Sequence, residues 1–313
     1  MWLRSFAMEY DVIIVGGGPA GFAAGIYAAR FNLKTLIVIK EIGGALAGSY
    51  DVENYMGFKS ISGLDLINKF KEQAESLGVT IKYDTVKNIK KIGEFKFQVD
   101  EHTAKAVILC TGSTRRKLNI PGEDQFSGKG VSYCATCDAA FFRNKKVCVI
   151  GGSDGAGLAS LLLSEYANEV YIIYRGPEIH PEPITKTKIL RNPKIKIITS
   201  TNVKEIYGEK MVKGIVLDKP YQGSPKMELQ GLFVEVGATP ANELAKQLNA
   251  QLNERGKIIV KNDQRTNIKG VYAAGDITTA TNEFEQAITA CAQGSIAAAS
   301  CYEDLSNQQT QRY

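Results

Sequence analysis

No apolar run in the chain approaches the ~20 residues of a membrane-spanning helix, which excludes a helical membrane protein. The opening "MWLRSFAMEYDVIIVGGG" lacks the plan of a secretory signal, because its apolar strand runs straight into a glycine turn that must stay attached. A cytoplasmic location is therefore expected, with residues 1–7 read as a short extension ahead of Met8. Histidine is scarce, limited to His102 and His180. The six cysteines, Cys110, Cys134, Cys137, Cys148, Cys291 and Cys301, lack the spacing of a disulfide framework, and only one pair is close in sequence. A four-ligand zinc site would want two more ligands than that pair provides, so no metal is expected. A strong charge surplus is missing too: 38 Lys and Arg against 33 Asp and Glu leave +5. The densest basic run, Lys186, Lys188, Arg191, Lys194 and Lys196, reads as a solvated face rather than a nucleic-acid surface. Acidic protein partners suit this weak bias.

What is present points to a nucleotide fold used twice. A chain of 313 residues exceeds one small core, and 44% apolar with 23% charged residues is ordinary for a globular protein. Thirty glycines cluster at turns that follow apolar strands. "YDVIIV" leads into "GGGPAGFAAGIYAAR", a helix of alanines and apolar residues that packs closely on a sheet. Strands follow at "LKTLIVI", "FKFQVD" and "AKAVILCTG". "KKVCVIGGSDGAGLASLLLSEYANEVYIIYR" then repeats strand, glycine turn, helix and strand, so the strands at Val12 and Val147 are equivalent. "KGVYAAGDITTATNEFEQAITACAQGSIAAASCYEDL" reads as a strand, a Gly-Asp turn and an Ala-rich helix that return to the first domain. The expected class is α/β, with two Rossmann-like three-layer nucleotide-binding domains, the second inserted in the first. Residues 1–117 and 244–313 form the first, and 118–243 the insertion. The final "SNQQTQRY" is expected to fray.

Gly16, Gly18 and Gly21 fit G-x-G-x-x-G between a strand and a helix. The first glycine permits the tight turn, the second lets backbone approach a pyrophosphate, and the third lets helix and strand pack. The helix N-terminus offers N–H groups and positive dipole to the anion. Glu41, just past the second strand, is placed either to accept from an adenosine ribose hydroxyl or simply to be solvated. "VSYCATCDAAFF" sets Cys134 and Cys137 as C-x-x-C with Asp138 adjacent, a redox dithiol in an α/β protein of this kind. Asp138 is either a proton carrier for that pair or a turn or cap residue. Cys110, Cys148, Cys291 and Cys301 read as inert core thiols.

With "GGGPAG", "VENYMG", "CTG", "CATCD", "GLFVEVGATPAN", "YAAGD" and "EQAITACAQG" in this order, the chain resembles the low-molecular-weight thioredoxin reductases over nearly its whole length. The resemblance implies FAD in the first domain, a homodimer, and two electrons passing from the flavin through the cysteine pair to thioredoxin. It implies that Gly16, Gly18, Pro19, Ala20 and Gly21 hold the FAD pyrophosphate and that Asn54 lies near the flavin ring. Thr111 and Gly112 would line the cofactor. Gly275 and Asp276 would meet the ribitol, and Gln286, Ala287 and Ile288 the isoalloxazine. Cys137 would face the flavin, Cys134 would attack the substrate disulfide, and Asp138 would donate and accept the proton.

The second glycine turn departs from that family. Gly151 and Ala156 keep the outer positions of its G-x-G-x-x-A, but Ser153 and Asp154 occupy the ligand side. The family's His-Arg-Arg run, which grips a 2′-phosphate, is "YRGPEIH" here: Arg175 remains, while Gly176 and His180 replace its partners. Each lost charged hydrogen bond forfeits about 1.5–3 kcal/mol. A carboxylate near the pyrophosphate adds up to a few kcal/mol of repulsion at an effective dielectric near 20. NADPH is therefore a doubtful donor, and reduced ferredoxin or a free reduced flavin is the alternative. A working site in which Arg175, Lys186 and Lys188 supply the charge also stays open. So do a flavin component serving a peroxidase or a glutaredoxin-like partner, and a non-catalytic redox sensor.

Overall fold

The computed structural model describes residues 9–282 and 284–310; the expected extension at residues 1–7 lies outside them. In chain order the elements begin with β1 Glu9–Val15, α1 Pro19–Arg30, β2 Thr35–Ile39, α2 Gly63–Ser76, β3 Thr80–Tyr83, β4 Ile89–Gly93, β5 Lys96–Val99 and β6 His102–Leu109. There follow β7 Ser113–Arg115, β8 Val131–Ser132, α3 Ala135–Asp138, β9 Lys146–Ile150, α4 Asp154–Tyr166, β10 Glu169–Ile173, α5 Pro183–Arg191 and β11 Ile195–Ile198. The chain continues through β12 Val203–Gly208, β13 Val212–Tyr221, β14 Ser224–Glu228, β15 Gly231–Val234, β16 Ala238–Pro240, α6 Glu243–Gln247, β17 Val271–Ala273 and α7 Ala287–Thr310.

Two compact units result. One takes the chain up to Ala47, Val52–Thr114 and everything from Pro240; the other takes Gly48–Asp51 and Arg115–Thr239. The α/β class and the inserted second nucleotide-fold unit agree with the sequence. The crossings fall at 114/115 and 239/240 rather than at 117/118 and 243/244. The physical reason is that β7 and β16, the two connecting segments, pair with each other there.

In the first unit the order is β3-β2-β1-β6-β5-β4, with β17 also on β6. β1 runs parallel to both β2 and β6. Val12, Ile13 and Ile14 are fully buried, as a parallel strand covered on both faces requires. β4, β5 and β6 form an antiparallel meander, of which the sequence reading had β5 and β6 as strands and left out β4. α2 was missed as well; Ser62 caps it by accepting from the Asp65 N–H at 3.1 Å.

α7 packs on α1 so closely that a Cβ at Gly294 would lie 2.1 Å from the Ala20 carbonyl oxygen. Its far end is clasped by Arg265, whose guanidinium donates to Asp263, Glu303, Asp304 and the Ser300 carbonyl, while Tyr272 donates to Asp304 at 2.6 Å. This clasp and buried Leu305 hold the stretch from Ser300 to Leu305; α7 is helical through Thr310, and the rest of the tail expected to fray, residues 311–313, lies outside the described residues.

The second unit holds the parallel sheet β11-β10-β9-β15-β8 and a separate antiparallel meander β12-β13-β14. The basic run lies at the surface: Lys188, Arg191, Lys194 and Lys196 are exposed and Lys186 is half-buried. Lys194 donates to the Ser164 and Ala167 carbonyls, which are orphan acceptors at the C-terminus of α4, and Lys186 pairs with Glu178.

Candidate active site

The first glycine turn is dictated partly by the chain itself. Gly16 has φ +122, and a Cβ there would sit 2.1 Å from the Cys110 carbonyl oxygen. A Cβ at Gly21 would sit 1.9 Å from the Gly16 oxygen. Gly18 is different: its Cβ would meet only the Gly43 oxygen, at 3.9 Å. Gly18 is the N-cap of α1 and has no side chain over the helix N-terminus; Pro19 opens the helix and Ala20 is buried. Glu41, exposed beyond β2, lies 3.6 Å from Lys40.

Residues far apart in sequence converge in this unit. Asn54 Nδ2 donates to Gln286 Oε1 at 3.1 Å, beside the start of α7 at Ala287 and Ile288. Thr111 Oγ1 donates to the Ala241 carbonyl at 2.7 Å, and the Gly112 carbonyl accepts from the Ala241 N–H at 3.0 Å. Gly275, with φ +84, donates its N–H to Gln293 Oε1 at 2.8 Å. Asp276 follows. Its carboxylate accepts no hydrogen bond among the described residues, and burial, helped by Glu285, pushes it up to about 6 against the pull of Lys257. A buried carboxyl with no donor fits a ligand that brings hydroxyl groups.

In the second unit Cys134 and Cys137 are joined as a disulfide, with Cα atoms 5.3 Å apart. Cys134 is the N-cap of α3, and its Sγ accepts from the Cys137 N–H at 3.2 Å. Cys137 is exposed and Cys134 half-buried. Asp138 does not use its carboxylate as a cap. Oδ2 accepts instead from Ser132 Oγ at 2.6 Å, and Ser132 Oγ accepts from the Cys134 N–H at 3.0 Å.

The second glycine turn keeps the same internal contacts. A Cβ at Gly151 would lie 2.2 Å from the Glu235 carbonyl oxygen, and one at Gly152 would lie 2.6 Å from the Tyr174 ring. Its ligand side is engaged by the chain. Asp154 Oδ1 accepts from the Glu182 N–H at 2.5 Å, and the His180 N–H donates to the Gly152 carbonyl at 2.6 Å. Gly176 packs on the Tyr174 ring, where a Cβ would be 2.4 Å from the nearest ring atom. Glu235 lies close to Gly155; burial raises its pKa, and the Arg115 guanidinium at 2.6 Å opposes that shift.

The family model for pyridine nucleotide-disulphide oxidoreductases matches residues 10–294. The chain belongs to that family. Among curated relatives of this oxidoreductase it is similar to a thioredoxin reductase of Bacillus subtilis, 37% identical over 93% of each chain. Among solved structures it resembles the Lactococcus lactis thioredoxin reductase in its FR conformation, with TM-score 0.90, 36% identity, and coverage of 95% of this chain and 99% of that one. It also resembles a thioredoxin reductase from T. acidophilum, with TM-score 0.88, 39% identity, and coverage of 95% and 98%.

Sequence reasoning missed Ser132, Gln293, Glu235 and Tyr55. Ser132 stood two residues before the cysteine pair, a place where its hydroxyl could reach the following turn. Tyr55 donates to Cys291 Sγ at 3.6 Å, and that thiol also touches the Pro19 carbonyl at 3.7 Å. Cys291, expected to be an inert core thiol, is thus half-buried and polar in its contacts. Nothing local in the sequence signals a pairing across so many residues.

Proposed function

We propose that the protein is an FAD-dependent protein-disulfide reductase of the thioredoxin-reductase type, acting on a thioredoxin-like protein. The observation that carries this reading is the Cys134–Cys137 disulfide with the Asp138 carboxylate tied to it through Ser132. A disulfide paired with a nearby acid suits two-electron thiol–disulfide exchange, in which a departing sulfur must be given a proton. Cys134 is assigned as the sulfur that attacks the partner, Cys137 as its resolving sulfur, and Asp138 as the acid and base.

FAD fits the first unit. Gly16, Gly18, Pro19, Ala20 and Gly21 would hold its pyrophosphate, and Glu41 the adenosine ribose. Asp276, which lacks a donor, would accept from a ribitol hydroxyl beside Gly275. Asn54, Thr111, Gly112, Gln286, Ala287 and Ile288 would position its ring system. When bound, FAD supplies two reducing electrons at a potential that the surrounding dipoles tune.

NADPH is assigned as a poor donor. The support lies in Ser153 at the ligand position, Asp154 beside it, and Gly176 and His180 where the family grips a phosphate. Lys186 is already committed to Glu178. The physiological donor is then a reduced electron-transfer protein such as ferredoxin, or a free reduced flavin. A homodimer and a cytoplasmic setting belong to the same reading; no helix among the described residues is long and apolar enough to cross a membrane.

Two measurements test it. Cys134→Ser should keep bound FAD and lose all turnover with thioredoxin; retained reduction of a protein disulfide defeats the assignment. Anaerobic titration of the oxidised flavin with NADPH should leave its visible band nearly unchanged, whereas bleaching at near-stoichiometric NADPH restores the conventional donor.

A further inference from the structure

We propose that Ser132 is the positioning residue of the dithiol's proton relay, coupling the charge of Asp138 to the backbone of Cys134. The proposal rests on the reductase reading above and adds a residue to it. Ser132 ends β8 and is 5% exposed. Its Oγ lies 2.6 Å from Asp138 Oδ2, 3.0 Å from the Cys134 nitrogen and 3.3 Å from the Cys134 carbonyl oxygen. A serine hydroxyl has one proton and two lone pairs. One lone pair is held by the Cys134 N–H, which leaves the proton and one lone pair to choose their partners.

With Asp138 charged, the Ser132 proton goes to Oδ2, a short charge-assisted bond. With Asp138 protonated, the carboxyl O–H donates to the free lone pair of Oγ, and the Ser132 proton turns to the Cys134 carbonyl. Every polar atom is satisfied in both states, so the carboxyl takes up or gives back a proton without stranding a buried group. A threonine keeps this choice and an alanine removes it.

No other side chain among the described residues bonds to Asp138. The charges on elements packed against α3 are engaged elsewhere. On α4, Asp154 holds the Glu182 N–H and Glu165 accepts from Tyr50. Arg143, past the turn that follows α3, lies over the Tyr166 ring. Beside β8, Tyr133 donates to Glu123, and Glu235, next to β15, pairs with Arg115.

In the exchange, Cys134 Sγ bonds to one partner sulfur as the partner S–S bond breaks. Cys137 Sγ then displaces that sulfur and closes the 134–137 bond. Two electrons leave the enzyme dithiol, and its two thiol protons finish on the two partner sulfurs. Asp138 holds one of those protons between the two displacements, and Ser132 keeps its carboxyl aimed in both charge states.

Chemically reduced holoenzyme is mixed with oxidised thioredoxin across pH 5–9 and the single-turnover rate is followed. Ser132→Ala should slow exchange roughly tenfold and change the shape of the pH profile, because the carboxyl has lost the hydroxyl that partners it in both charge states. Ser132→Thr should restore both. A Ser132→Ala profile that scales onto the wild-type curve without moving overturns the relay, since a purely structural serine would lower the rate at every pH alike.

Infrared titration of the oxidised holoenzyme reads the coupling without turnover. The protonated-carboxyl band that Asp138→Asn removes should shift in frequency in Ser132→Ala and return in Ser132→Thr. A band that Ser132→Ala leaves in place defeats the proposal even where the wild type reduces no protein disulfide. In that case the reductase reading fails separately.

Discussion

The N-cap residues of the two nucleotide-fold helices have nearly the same backbone: φ −88, ψ −175 at Gly18 and φ −100, ψ −168 at Ser153. Both are extended conformations that any residue adopts, so neither position needs glycine for its angles. Nor does the protein crowd Gly18, whose Cβ would stand 3.9 Å from the nearest atom. Gly16, Gly21, Gly151 and Gly152 are another matter, since a Cβ at any of them would collide with the chain itself. The first two glycines persist in both turns, Gly16 and Gly17 in the first and Gly151 and Gly152 in the second, while the position of Gly21 is taken by Ala156 in the second. The glycine that neither its angles nor its neighbours require, Gly18, persists in the first alone. In the second turn that space holds a serine, with a carboxylate beside it that fastens the 175–182 loop.

Moving the second turn's residue into the first should have the largest effect. Gly18→Ser should lower FAD affinity by about a hundredfold or more, roughly 2.7 kcal/mol, with the fold unchanged. Flavin retention on purification and the far-UV spectrum check both halves; a yellow, fully loaded variant would erase the contrast between the turns.

Asp276 comes next. Burial raises its carboxyl from 3.8 to about 6, so the folded chain binds that proton more tightly than the unfolded chain does. The stabilisation is complete below about pH 4 and is lost as pH rises through about 6. Asp276→Asn should therefore make the cofactor-free protein about 3 kcal/mol more stable than wild type above pH 7, with the difference closing near pH 4. It should also weaken FAD about tenfold or more through the lost hydroxyl contact. Urea melts across pH and a flavin titration read the two effects.

Repairing the second turn should give a gain of about tenfold in NADPH-driven reduction with Ser153→Gly, Asp154→Asn and His180→Arg combined. Gly176 is left alone because any side chain there strikes Tyr174. A combined variant no better than wild type would place the obstacle elsewhere in the pocket. The smallest effect separates charge from fastening. Asp154→Ala should cost about 1 kcal/mol in a denaturant melt, while Asp154→Asn, whose Oδ1 still accepts from Glu182, should stay within about 0.5 kcal/mol.

These contrasts explain what the sequence disclosed. Glycine turns were legible because the constraints that fix them act over a few residues and leave a spacing. The C-x-x-C with its acid was legible for the same reason. α2, α5, β4 and the β12-β13-β14 meander escaped notice because polar and charged residues interrupt them and their faces are half-exposed. The contacts that complete the sites escaped for a different reason. Asn54 with Gln286, Tyr55 with Cys291 and Arg115 with Glu235 meet only after the chain has closed on itself. Ser132 was the exception, a near neighbour whose importance depended on which way one hydroxyl points.

The clasp of Arg265 on α7, and the seating of Gly294 against Ala20, bear on the order in which a ribosome could finish this molecule. α1 finds its mate only in α7, so its strand and glycine turn must wait through more than two hundred residues of synthesis. The inserted unit has no such dependence and can mature while the chain is still attached. A chain stopped before α7 should therefore fold the unit that carries the dithiol and fail to retain flavin.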